Sequence, residues 1–198
     1  MEIRILEADS VRLRDEEPAR RRGIALRAIE TLGDEATELD LCRRAIKAIA
    51  EDAGIPFAMV YLVSADRQSA QLAGAAGIEE GTRWTPRFVD FDRGTGWPLE
   101  HVATTGESAR LEQLETRFGA CPRGVDGDAR VAHVLPVRGR AGEPVRAILV
   151  VGAREEEPAA AAFLRAAAER IAAALSRSRL RAEGLPRRGS VQPVLPGF

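Results

Sequence analysis

The sequence predicts a mixed α/β protein of the α+β kind. One antiparallel sheet carries terminal helices on one face and, on the other, a lid of loops and one short helix over a pocket. Three observations predict it. Strand-like runs come in two close pairs, FAMVYLVS with SAQLAGAAG (57–77) and VAHVLPVRG with PVRAILVVGA (131–153). Helical stripes occupy both ends of the chain. Two long connecting segments, the first of them rich in aromatic residues, lie between the strand pairs.

The chain has 198 residues, enough for one domain of about 150 residues plus extensions. Hydrophobic residues make up 45%, so a core can form. The net charge of −1 argues against nucleic-acid binding, which rests on phosphate neutralisation. No apolar run approaches the roughly 18 residues of a membrane span, and the N-terminus lacks the apolar stretch of a signal peptide. A cytoplasmic location is expected. Lysine occurs once and asparagine never, whereas arginine is abundant. That bias fits a GC-rich bacterial genome, so the arginines do not by themselves mark phosphate ligands.

Residues 1–17 read as a charged, irregular extension. Pro18 can open a first helix with Ala25, Ala28, Ile29 and Leu32 as its stripe and Gly33 as its cap. A second helix over about 35–53 has the stripe Leu39, Cys42, Ala45, Ile46 and Ile49 and stops at Gly54 and Pro56. The first hairpin follows. Residues 78–96 read as a long loop holding Trp84, Phe88 and Phe91, with Trp97 directly after it. Those are four of the nine aromatics in the chain, more apolar surface than a solvated loop carries.

Pro98 suits a first helical position, and Leu99, Val102 and Ala103 share one face. Gly106 can cap this short helix in the left-handed conformation. Ser108–Leu111 is extended, 112–128 is a second loop, and the second hairpin turns at Arg140–Glu143. The final helix, 158–182, has the stripe Leu164, Ala167, Ala168, Ile171, Ala174 and Leu175. At about 37 Å it is longer than one small domain needs. Residues 183–198 form a Pro/Gly-rich tail expected to be disordered. The domain proper is 18–182.

This ordered set resembles a GAF domain over about residues 20–180. Its carriers are IPFAMVYLVSADRQSAQLAGAAG, WPLEHVATTGESARL, AHVLPVRGRAGEPVRAILVVGA and the closing Ala-rich helix. The wording is most similar to the GAF domains of bacterial sensor histidine kinases, in two-component signalling. The resemblance implies a non-enzymatic module that senses a small molecule, dimerises through its terminal helices and passes a signal to a protein partner. Output is expected to pass through a partner or the dimer itself rather than an attached kinase module. Two other readings stay open: a redox enzyme like the free methionine sulfoxide reductases, using Cys121, and a purely structural dimerisation module.

Other subtypes fit poorly. Bilin attachment in the family uses a cysteine followed by histidine, and here Pro122 follows Cys121. Cyclic-nucleotide members carry an NKFDE-type set, and this chain has no asparagine. Haem would need His101 or His133 as axial ligand. No CxxC or HExxH pattern supports a metal site, and no cofactor is identified.

The candidate ligand-binding residues are Tyr61, Trp84, Phe88, Phe91, Trp97, His101, Cys121 and His133. Tyr61 shares a strand face with Phe57, Met59 and Val63. His133 shares one with Val131, Leu135 and Val137. Each has a plainer reading beside the functional one: the rings as a satellite core under a lid that binds nothing, the histidines as hydrogen-bonded or exposed groups. Cys42, in an apolar stripe, reads as core. Arg20–Arg22, preceded by Asp15–Glu17, reads as a solvated mixed-charge face. Helices 18–32 and 158–182 are expected to pair across a two-fold axis, because an alanine-rich face lets helices approach closely.

Overall fold

A computed structural model of the chain describes residues 3–32, 37–121, 129–139, 142–154, 158–182 and 184. Helix α1 spans Ile3–Glu30 and α2 spans Glu38–Lys47, prolonged by a π-helical turn, Ala48–Asp52. Strands β1 (Ala58–Val63), β2 (Ser69–Ala76) and β3 (Phe88–Asp90) precede α3 (Leu99–Thr105). Then come β4 (Ala109–Glu112), α4 (Leu114–Phe118), β5 (Val131–Val137), β6 (Ala147–Ala153) and α5 (Pro158–Ala182).

The six strands form one sheet in the order β3-β2-β1-β6-β5-β4, with every neighbouring pair antiparallel. This is the predicted α+β architecture. Strands β1 and β6 lie at its centre and are covered on both sides, which explains their nearly unbroken apolar runs. The period-two alternation of strand side chains splits them between two cores. Ala58, Val60, Leu149 and Val151 face α1, α2 and α5. Phe57, Met59, Tyr61, Ile148 and Val150 face the lid segments.

Local chemistry sets the helix ends. The Thr37 hydroxyl oxygen accepts the Asp40 backbone N–H and its own proton goes to the Asp40 carboxylate, fixing the start of α2. Arginines complete the carbonyl ends. Arg21 of α1 donates to the Asp52 and Glu51 carbonyls at 3.0 and 2.8 Å. Arg177 of α5 donates to the Glu30 and Leu32 carbonyls at 3.2 and 2.9 Å. Both contacts place a cation at the negative end of a helix and tie α1 to its neighbours.

Several elements differ from the sequence reading. Residues 3–17 are helical, and Pro18 lies inside α1 rather than at its start. Proline withholds only one N–H from the ladder, and the Arg-, Leu- and Glu-rich flanks are strong helix formers that carry the helix past it. Leu39 is 43% exposed, whereas Leu41 is fully buried. The buried stripe centres on Cys42, Ala45 and Ile49, and Leu39 falls at its edge on the first turn. Pro98 is the residue before α3, not its first position, while Gly106 does cap it with φ 69°. The first long loop contains β3 and the second contains α4. Gly33, residues 122–128, Arg140, Ala141 and the tail apart from Gly184 lie outside the described residues. Among the described residues no helix is long and apolar enough to cross a membrane.

Candidate functional site

The predicted lid is present, and an aromatic layer fills the space between it and the sheet. Trp97 stacks on Phe118 with ring centroids 4.4 Å apart and planes at 23°. Phe118 is tilted against Trp84 at 5.5 Å, and Trp84 meets Phe57 edge-on at 6.1 Å. Sheet, lid and α4 thus share one chain of rings, and such pairs contribute about 0.5–1.5 kcal/mol beyond area burial. The Trp97 indole N–H donates to the Trp84 carbonyl at 2.8 Å.

Side chain–backbone bonds hold the lid in shape. Thr85, fully buried, donates its hydroxyl to the Glu79 carbonyl and accepts the Thr82 N–H. Arg67, in the β1–β2 turn with φ 62°, donates to the Ala103 carbonyl near the end of α3. That bond joins the lid helix to the sheet hairpin. On its inner face α3 buries Leu99, Val102 and Ala103.

Five of the eight sequence candidates meet at this layer. Tyr61, Trp84, Phe91 and Trp97 are buried in it, and Cys121 is half-buried against it. Among the described residues the Tyr61 hydroxyl reaches only the Met59 sulfur, at 3.9 Å, and burial pushes its phenol pKa up. The other three lie elsewhere. Phe88 is 61% exposed, because β3 is an edge strand whose Val89 takes the lid-facing position. His101 sits on the outer face of α3. His133 alternates with Ala132 and Val134, which face the lid, so it faces α5 instead. Tyr61 and His133 therefore lie on opposite faces of the sheet.

The sequence reading passed over Phe118 and took Phe57 only as a neighbour of Tyr61 on its strand face. The signal for Phe118 was the pair Leu114 and Phe118 at i, i+4, one apolar face on a single helical turn. Among the described residues, two polar atoms in this region are buried without a hydrogen-bond partner: Trp84 Nε1 and Thr95 Oγ1. The cysteines are separated by the sheet. Cys42 packs in the helical core, Cys121 against the lid core. Burial, and secondarily the Glu38 charge, push the Cys42 thiol up to about 12. Its thiolate is negligible at pH 8, so alkylation of native protein is expected to spare Cys42 until the chain unfolds. Peptide mapping after iodoacetamide treatment, with and without urea, checks this. Among the described residues, no three His, Cys, Asp or Glu side chains gather into a metal-ligand set.

Residues 37–175 match the GAF domain family model. No curated protein sequence matches the chain. Several solved structures share its fold. The GAF domain of an Acinetobacter phosphoenolpyruvate-protein phosphotransferase is 15% identical, with a TM-score of 0.59 over 86% of this chain and 96% of that one. The free methionine-R-sulfoxide reductase of Neisseria meningitidis, solved with its substrate, is 15% identical, with a TM-score of 0.61 over 83% and 93%. A phycocyanobilin-bound GAF domain from a cyanobacterial phytochrome is 14% identical, with a TM-score of 0.56 over 81% and 96%.

Proposed function

The chain belongs to the GAF domain family, and from that premise we propose that it is a non-enzymatic signalling module, responsive to a small molecule in its lid layer and dimeric through α1 and α5. The observation that carries the sensing reading is the buried Trp84 N–H. An unsatisfied buried donor costs about 1–3 kcal/mol. A small molecule that brings an acceptor to Trp84 Nε1 recovers that cost. The rings around it favour a flat, apolar body. Phe118 and Trp97 occupy this layer, so binding requires α4 to shift, and a ligand acts only through its preference for the shifted arrangement.

One feature supports the non-enzymatic part. Cys42 and Cys121 stand on opposite faces of the sheet, so no thiol pair is available for a relay. Cys121→Ser is therefore expected to leave ligand binding intact. The similar structures include domains from a phosphotransferase, a reductase and a phytochrome, a spread that fits a sensor-kinase context without singling it out. In our reading the module works in the cytoplasm of a bacterium and hands its output to a signalling protein through the long terminal helices.

Native mass spectrometry beside the denatured spectrum tests both parts. The expected native species is a dimer of the 21.4 kDa chain that carries a mass lost on denaturation. Trp84→Phe removes the orphan donor and is expected to weaken retention of that mass at least tenfold. A clean dimer that takes up no small molecule in an indole-fluorescence screen would leave only the structural-dimer reading. A monomer at high micromolar concentration would remove helix pairing.

A further inference from the structure

The helical face of the sheet has its own concavity, separate from the aromatic layer. On the β5 side, α5 spans the sheet and leaves a cleft of about 470 Å³ between itself and β5. That size lies within the range of small-molecule sites. Its floor is apolar, with Leu135 and Pro136 of β5 opposite Leu164 and Ala168 of α5. Its rim is basic, with Arg138 just past β5 and Arg165 on α5. Glu169 is the one carboxylate among the described lining residues.

The two guanidinium groups are open to a ligand. Neither guanidinium forms a hydrogen bond or ion pair among the described residues. Arg138 is also given a bed: a Cβ at Gly106 would lie 2.7 Å from its Nη1. The glycine that caps α3 in the left-handed conformation thus leaves bare backbone for the guanidinium to rest on. His133, which the lid layer does not absorb, opens on the same cleft.

A guanidinium presents a planar fork that matches a carboxylate, and an apolar floor favours a hydrocarbon body. We infer that the α5–β5 cleft is a binding site for a small amphiphilic carboxylate. Its headgroup lies between Arg138 and Arg165, and its body lies on Leu135, Pro136, Leu164 and Ala168. This site stands on the face opposite the proposed lid ligand and bears directly on α5.

Octanoate titrated into the ¹⁵N-labelled full chain tests it by NMR. The two tryptophans both lie in the lid, so their indole N–H signals report that layer separately. Saturable shifts at Gly106, Gly139 and Ala168, with both indole signals unmoved, are expected. The double variant Arg138→Ala, Arg165→Ala is expected to bind at least tenfold more weakly with an unchanged melting temperature, because both residues are exposed. Neutral 1-octanol is expected to bind at least tenfold more weakly than octanoate. Four outcomes would overturn the inference: no saturable shift at millimolar octanoate, shifts confined to the indoles, equal binding by the double variant, or cleft shifts that follow protein concentration alone. The last would assign the cleft to a second copy of the chain.

Discussion

Phe118→Ala is expected to destabilise the protein by about 3–5 kcal/mol, the range for deleting a buried phenylalanine. For a chain of this size that lowers the melting temperature by roughly 10 °C. Phe118 is 3% exposed and lies between the two tryptophans, so its removal empties the middle of the ring layer. The neighbours have limited room to collapse. Trp97 is held by its bond to the Trp84 carbonyl, and Trp84 leans on Phe57 in the segment entering β1. An apolar void of this kind stays dry and accepts an aromatic guest. Phenol at millimolar concentration is therefore expected to raise the melting temperature of the variant and leave that of the parent unchanged. Urea denaturation measures the first effect, and thermal melts with and without phenol measure the second. A loss below about 1 kcal/mol would mean that α4 is not seated on the layer, and the lid mechanism would fail with it.

The sheet, its two faces and the lid were legible in the sequence because each rests on a local signal. The apolar, β-branched runs at 57–63 and 147–153, the stripe of α5 and the Gly106 cap all act within a few residues. What escaped depends on context. β3 is three residues long, too short for periodicity to register, and it exists because Ser69, Ala70 and Gln71 offer it an edge. α4 is one turn, and its Phe118 matters through contacts with Trp84 and Trp97, both more than 20 residues away in sequence. His133 was assigned its strand neighbours correctly. Which face those neighbours present to the lid is decided by the long-range pairing of β5 with β6, to which one strand's pattern is blind. The continuation of α1 back through 3–17 is a similar case, because proline marks a helix start only when the residues before it are poor helix formers.

Gly152→Ala is expected to be the most disruptive addition of a single carbon to the sheet, costing about 2–3 kcal/mol. Gly152 lies in the central strand β6, where glycine marks close approach of another group. That group is the Phe57 ring: a Cβ at Gly152 would lie 2.3 Å from Phe57 Cε1 and 2.5 Å from Cδ1. Real contacts are longer, so the ring must move, yet it is fully buried and fixed at both ends. The Gly152 N–H donates to the Phe57 carbonyl at 2.9 Å, which pins the backbone. Trp84 stands edge-on beyond the ring and blocks its retreat. The strain therefore passes from the sheet into the lid along the same rings that the proposed ligand would displace. A double-mutant cycle isolates this coupling. Phe57→Leu is destabilising alone, but in the Gly152→Ala background it is expected to restore part of the loss, with an interaction energy of about 1–2 kcal/mol. Additive effects would show that β6 and the lid are energetically separate. A shifted indole fluorescence in Gly152→Ala, recovered in the double variant, would show that the sheet and the tryptophan layer move together.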